Sequence, residues 1–283
     1  MAGLREISCH VVSETVRDLF IEVNYNLGED VLDALKHAAD TEDSELGRYA
    51  LERIIENAEI AGRESLPLCQ DTGLAVVFVE VGQDVHVVDG DLYEAIESGV
   101  REAYSDGFLR KSVCDPLSRE NTSDNTPAVI HAEIVMGDKI RIVAMPKGGG
   151  SENVSSSIVL LPADGIEGIK KHVVDMVAKA GPNPCPPVIV GVGIGGSLEM
   201  SALLSKKALL RPVGDPNTGD DRLSTMESEI LREVNALGTG PQGYGGRTTA
   251  LAVHIEMMPC HIASLPVSVN IQCHVARHGE AII

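Results

Sequence analysis

The 283-residue sequence has no tryptophan, and Phe, Trp and Tyr together make up 3% of it. So few rings disfavour a stacking platform for nucleobases or sugars. Positive charge is also scarce: 23 Lys and Arg stand against 42 Asp and Glu, a formal charge of −19. A nucleic-acid face needs a basic patch to meet phosphates, so this balance argues against such a partner. If the substrate is itself an anion, a few Arg, Lys or backbone N–H groups must hold it against an unfavourable overall field. No run of about 18 consecutive apolar residues occurs, so no transmembrane helix is expected. The opening MAGLREISCHVVSETVRDLF lacks an apolar segment ahead of a small-residue cleavage site. No secretory leader is therefore expected, and the cytoplasm is the default compartment.

The six cysteines, at positions 9, 69, 114, 185, 260 and 273, include no two that are two or three residues apart. That excludes a CxxC redox pair and zinc-ribbon spacing. A disulfide framework is not expected in a chain of this size without a leader. Any metal site must be assembled from distant parts of the sequence.

What is present reads as one domain of mixed α/β class, with mixed β-sheets flanked by helices and a helical N-terminal region over about 1–62. Val16, Leu19, Phe20 and Val23 mark one helix face, and similar spacing recurs over 31–38 and 46–58, with Asp43 and Ser44 as candidate caps. The α/β body, about 63–283, alternates strands near 74–81, 85–88, 248–257 and 265–271, and a buried strand opening into a glycine-rich turn within 182–197, with helices over 91–104, 165–180, 198–210 and 223–237. Residues 129–135 and 140–145 flank Met-Gly-Asp-Lys and predict a β-hairpin. The polar stretch 111–127 predicts a long loop, a length often kept for function.

Several segments invite chemistry. Gly191-x-Gly193-x-x-Gly196 follows a strand and opens a helix, as a dinucleotide fingerprint would. The context resists that reading, because residues 211–221 are rich in Asp, Pro and Gly where a second apolar strand is required. Close packing at a glycine-rich turn, or an inorganic cofactor, fits better. Lys147-Gly148-Gly149-Gly150-Ser151 is either an anion-binding nest of backbone N–H groups or a plain hairpin exit. Cys69, Cys185 and Cys273 each sit at a polar or proline-bounded loop edge, where burial in an apolar core explains them least. Three thiolates leave one iron of a 4Fe–4S cube without a protein ligand, open to a substrate hydroxyl or carboxylate. Cys9, Cys114 and Cys260 are read as structural, with Cys260 the harder to set aside because it abuts His261.

In order, LPLCQDTG, PKGGGSEN, Cys-Pro-Pro followed by VGIGG, GYGGRTTAL and HIASLPVSVNIQCHVARH resemble the motifs of class I fumarases and L-tartrate dehydratase α subunits. The resemblance runs from about residue 50 to the end. It implies a hydro-lyase that reversibly hydrates a small dicarboxylic acid, fumarate to L-malate or the tartrate counterpart, with a 4Fe–4S cluster on Cys69, Cys185 and Cys273. It also implies that Gln70 and Asp71 line the substrate pocket, that Arg110 pairs with a substrate carboxylate, and that Gly149 and Gly150 offer backbone N–H groups. His261, twelve residues before Cys273, matches the family histidine near the substrate. Asp71 and His261 are then the candidate proton carriers. Met145 departs from the pattern, where Ala often precedes the proline, though the glycines are intact. Single-chain relatives carry a further domain that supplies the base and more carboxylate-binding residues. The resemblance therefore implies a separate β subunit, an α2β2 assembly, and an α chain inactive alone.

Overall fold

The computed structural model describes residues 4–283. Strand β1 (Arg5–Ser8) leads into helices α1 (Cys9–Tyr25), α2 (Glu29–Thr41) and α3 (Glu45–Glu64). Strands β2 (Leu74–Gly82) and β3 (Val85–Val88), helix α4 (Leu92–Asp106) and strands β4 (Val129–Val135) and β5 (Ile140–Lys147) follow. Then come the one-turn helix α5 (Gly149–Glu152), strand β6 (Ser156–Leu160), helix α6 (Gly165–Ala180), strand β7 (Val188–Gly195) and helices α7 (Leu198–Ala208) and α8 (Asp221–Ala236). Strands β8 (Ala250–Met258), β9 (Leu265–Gln272) and β10 (Gly279–Ile282) complete the order. The class is mixed α/β, as expected. No helix of the described residues is long and apolar enough to cross a membrane. The chain divides into two compact units. The first holds Met1–Gly28, Ala58–Gly149 and Arg277–Ile283; the second holds Glu29–Asn57 and Gly150–Ala276.

In the first unit, β1 pairs in parallel with β3, and a four-stranded sheet runs β10-β5-β2-β4. The expected hairpin of 129–135 with 140–145 does not form. Both strands exist, but β2 lies between them, parallel to β4 and antiparallel to β5. The physical reason is β2 itself. Residues 75–79 are all buried, and a strand buried on both faces needs hydrogen-bond partners along both edges. The 136–139 link wraps the end of β2, with Gly82 N–H donating to Lys139 O at 2.9 Å and Gln83 N–H to Val135 O at 2.8 Å. Helix α1 begins at Ser8, whose hydroxyl accepts the His10 N–H. Its stripe of Val12, Val16, Phe20 and Val23 is buried, each large side chain contributing roughly 1.5–3 kcal/mol. It packs on α4, where a Cβ on Gly99 would lie 2.5 Å from Ser13 O, so only glycine permits that approach.

In the second unit the sheet runs β6-β9-β7-β8, with β7 parallel to β8 and antiparallel to β9. Strand β7 is buried throughout and its side chains alternate between faces. Val190, Val192 and Ile194 join the apolar core together with residues of α6 and α8. On the other face, a Cβ on Gly191 or Gly193 would lie 2.1 Å from Ser205 O or 2.0 Å from Ser201 O of α7. The glycines of the apparent dinucleotide fingerprint thus let α7 lie directly on the strand. Packing accounts for them.

Candidate active site

The loop 65–73 joins α3 to β2 in the first unit and carries Cys69, Gln70 and Asp71. Its entry is fixed by buried Leu68, whose N–H donates to Asn24 O at 2.8 Å. Cys69 is half-buried, and its sulfur accepts the Asp71 N–H at 3.4 Å. The Asp71 carboxylate is held at both oxygens: Oδ1 accepts from Gly73 N at 3.1 Å and Oδ2 from Gly149 N at 2.8 Å. Two motifs far apart in the chain, CQDTG and KGGGS, therefore meet at Asp71. Gly149 spends its N–H on Asp71, while both Gly149 and Gly150 are exposed.

Buried polar groups hold this loop from below. The Tyr104 hydroxyl lies 2.8 Å from Thr72 O and 2.9 Å from Gly73 O, and burial pushes its pKa well above the usual phenol range. Asn125 Nδ2 donates to Gly73 O at 3.2 Å, while its Oδ1 accepts the N–H groups of Ser112 and Val113. Arg277, 3% exposed, donates from Nη1 to Asn24 Oδ1 and from Nη2 to Asp71 O, each at 2.8 Å. Arg110 is placed by its backbone, because the Thr72 hydroxyl donates to its carbonyl at 2.7 Å and the adjacent Leu109 is buried. Its side chain is exposed and forms no ion pair among the described residues. Sequence reasoning gave no role to Asn24, Tyr104, Asn125 or Arg277. The available signal was a polar residue on an otherwise apolar helix stripe, as Asn24 is, four residues after Phe20.

The second unit carries Cys185, Cys273 and His261. Cys185 is exposed, at φ 55°, ahead of the cis Pro186–Pro187 bond. Its carbonyl is met by the His274 backbone N–H at 3.5 Å and by His274 Nδ1 at 2.9 Å. The same ring nitrogen lies 3.1 Å from Gln242 Nε2. This brings the Cys185 loop beside the segment of Cys273, which is half-buried with its sulfur 3.8 Å from Val275 O. Gln242, in the GYGGR loop, grips the same turn by donating from N and Nε2 to Pro186 O at 2.8 and 2.7 Å. That loop is anchored in turn by the buried Glu42. Burial alone would raise the Glu42 pKa, but N–H groups of Arg247, Ser44 and Thr248 outweigh it and hold the carboxyl below its ordinary range. His261 lies in the exposed turn 260–264, with Nδ1 accepting the Ala263 N–H at 3.2 Å. It lines an apolar cavity of about 350 Å³ with Ile166, Met226, Ile262 and Leu265.

None of the six cysteines forms a disulfide. Among the described residues no group of three or more His, Cys, Asp or Glu side chains is arranged to hold a metal ion. The fit of Cys69, Cys185 and Cys273 to an iron–sulfur cluster rests on donor chemistry. All three are loop thiols outside the apolar cores, at least partly exposed, and Cys69 already receives a backbone N–H of the kind that stabilises a thiolate. The residues fit.

A sequence model of the family described as fumarate hydratase (Fumerase) matches residues 13–282. The chain is 43% identical over 274 residues to the "Putative L(+)-tartrate dehydratase subunit alpha" of Methanocaldococcus jannaschii, covering 95% of this chain and 96% of that one. It is 33% identical over 276 residues to the L(+)-tartrate dehydratase subunit alpha of Escherichia coli O157:H7, covering 96% of this chain and 90% of the relative. With nearly its whole length matched, the chain belongs to the fumarate hydratase (Fumerase) family.

Proposed function

We propose that the chain is the α subunit of an iron–sulfur hydro-lyase that reversibly hydrates fumarate to L-malate, acting in the cytoplasm as part of an α2β2 assembly. The observation that supports this best is the meeting of CQDTG and KGGGS at Asp71, beside Cys69. In this reading Cys69, Cys185 and Cys273 hold the cluster. When bound, the cluster supplies a Lewis-acidic iron without a protein ligand, toward which a substrate hydroxyl or carboxylate is drawn.

Dehydration of a malate-like acid breaks a C–H bond next to one carboxylate and a C–O bond at the neighbouring carbon. The electron pair forms the double bond, and proton and hydroxide leave as water. Asp71 and His261 hold or pass protons at the departing hydroxyl, and Gln70 orients the substrate. Arg110 takes one carboxylate in a charge-assisted pair. Gly149 fixes Asp71 from behind, and Gly150, also exposed, contributes to the same anion-facing loop. A dicarboxylate has a second end, and the carbon acid needs a base. Both are assigned to the β subunit, in keeping with the relatives' designation as subunit alpha.

A second reading, dehydration of L(+)-tartrate, is favoured by the names those relatives carry. One experiment tests both. The chain is loaded with iron and sulfide anaerobically, its iron counted, and turnover of fumarate, L-malate and L(+)-tartrate measured with and without the partner. Turnover of about 10 per second or more with the partner, and negligible turnover without it, is expected. Absence of bound iron would overturn the cluster assignment. Comparable rates for the chain alone would overturn the need for a partner.

A further inference from the structure

We propose that Arg277 is a positioning residue for the Cys69–Gln70–Asp71 segment. Its functional consequence rests on the hydro-lyase reading; its placement rests on geometry within the first unit. The guanidinium is 3% exposed, yet both of its hydrogen-bond acceptors are neutral oxygens, Asn24 Oδ1 and Asp71 O, each at 2.8 Å. Its Nε has no partner among the described residues. A buried cation ordinarily faces a carboxylate, because desolvation is otherwise uncompensated. Here the cation is spent on a backbone carbonyl of the site loop.

Asn24 makes the arrangement a clamp. It is fully buried on α1, anchored by its own Nδ2 to Phe20 O at 2.8 Å. Its carbonyl accepts the Leu68 N–H at 2.8 Å, and its side-chain oxygen accepts from Arg277. The segment is thus tied at its start through Leu68 to Asn24 and at its end through Asp71 to Arg277. Cys69 and Gln70 lie between the two ties. With both Asp71 carboxylate oxygens also held by backbone N–H groups, the segment keeps little freedom. The planar fork of arginine presents donors at fixed separation, so it reaches two oxygens at once; a lysine ammonium on a flexible stem does not hold that geometry. A binding residue displaced by about 1 Å loses on the order of a hundredfold in rate, so a clamp behind Gln70 and Asp71 bears directly on substrate binding.

The test uses Arg277→Gln, Arg277→Lys and Asn24→Ala. Hydrogen exchange is read over 68–73 in the chain, and KM for the acid that is turned over is read with the partner present. Arg277→Gln is expected to speed exchange in the loop by at least about tenfold while α4 and β2 exchange as before. It is also expected to raise KM by about tenfold or more, and Arg277→Lys is expected to rescue neither. A merely structural role would lower the concentration of active enzyme without moving KM, so an unchanged KM overturns the proposal, as does unchanged loop exchange. Full rescue by Lys would show that charge, not the fork, matters, and would also overturn it. If Arg277→Gln does not fold, Asn24→Ala, which keeps the carbonyl that accepts from Leu68 but removes the Oδ1 that anchors the Arg277 guanidinium, is held to the same two outcomes. If wild-type assembled with its partner turns over no dicarboxylate, the hydro-lyase reading fails separately, and the exchange measurement decides the clamp.

Discussion

The two units hold their loop cysteines by different means. In the first, the CQDTG loop rests on buried polar groups: the side chains of Tyr104, Asn125 and Arg277 bond to its backbone, and the Asn24 carbonyl accepts from Leu68 at its entry. In the second, Cys185 is held mainly by backbone restriction: prolines on either side, a positive φ, and a carbonyl capped by His274. A polar clamp fixes a loop strongly but fails when one member is lost, because the partner is left buried and unsatisfied. Proline-restricted backbone is pre-set in the unfolded chain and depends less on any single side chain. The first unit is therefore expected to be sensitive to side-chain substitution around its loop, and the second to substitution within the strand and helix beneath it.

The largest expected effect breaks the distinction. On the proposed cluster assignment, Ser in place of Cys69, Cys185 or Cys273 would remove one of three thiolates, and each variant is expected to lose its iron and all turnover, whichever unit carries the change. Iron content and charge-transfer absorbance after anaerobic loading check it. Full iron in Cys69→Ser together with loss in Cys114→Ser or Cys260→Ser would move the assignment.

Next in size is Gly193→Val. A Cβ there lies 2.0 Å from Ser201 O and 2.5 Å from Ser205 N, both backbone atoms of α7 that cannot swing aside. Helix α7 must lift from the sheet, at a cost of more than about 3 kcal/mol. Chemical denaturation should show the loss. Tolerance of valine would mean that α7 is not fixed against β7.

These two substitutions also mark what could be read from the chain. The helix stripes were legible because a 3.6-residue repeat shows whichever partner it packs against, and the Ser44 cap followed, its hydroxyl accepting the Gly47 N–H. The three loop cysteines stood out because their neighbours are polar or proline. The partner of a strand is less legible. Residues 129–145 carry hairpin signals, but the claim of β2 on both edges is long-range and leaves no local trace. Strands β1, β6 and β10, of four, five and four residues, were not expected, whereas β3, also of four, was, because its Val-rich text continues β2 across a polar turn. The clamp residues were missed for a related reason: an Asn or Tyr on an apolar helix face looks like a blemish until its long-range partner is known.

A third effect separates the units by pH. His254 on β8 of the second unit is 2% exposed, with neither ring nitrogen partnered among the described residues. Burial, then the nearby Arg211 cation, lowers its pKa from 6.5 to about 4. The folded state resists the proton that the unfolded chain accepts, so this contribution to stability is fully present above about pH 6.5 and is lost as pH falls toward 4. The whole loss is about 3 kcal/mol. Tyr104, a buried titratable group of the first unit, is shifted upward by burial and stays protonated throughout that range. Denaturation midpoints of wild type and His254→Leu at pH 7 and pH 5 give the test: the leucine variant should lose less on acidification. Parallel losses in both would remove His254 as the cause.

The smallest effect falls on Arg110, proposed above to take a substrate carboxylate. The Arg110 carbonyl is fixed by the Thr72 hydroxyl, but its guanidinium is exposed and pairs with no acid among the described residues. An exposed cation is screened, so a substrate carboxylate gains less from it than from a buried arginine, toward the lower end of roughly 1.5–3 kcal/mol. Arg110→Lys keeps the charge and loses the two-pronged geometry, and is expected to raise KM about tenfold, or roughly 1.4 kcal/mol, with iron content unchanged. Thr72→Val keeps the side chain but frees the carbonyl that places it, and should raise KM by a smaller factor in the same direction. Because the contact is exposed, the wild-type advantage over Arg110→Lys should shrink as salt is added. An advantage that is independent of salt would mean the guanidinium becomes buried in the assembled enzyme, and that the partner, not the Thr72 hydroxyl, sets its geometry.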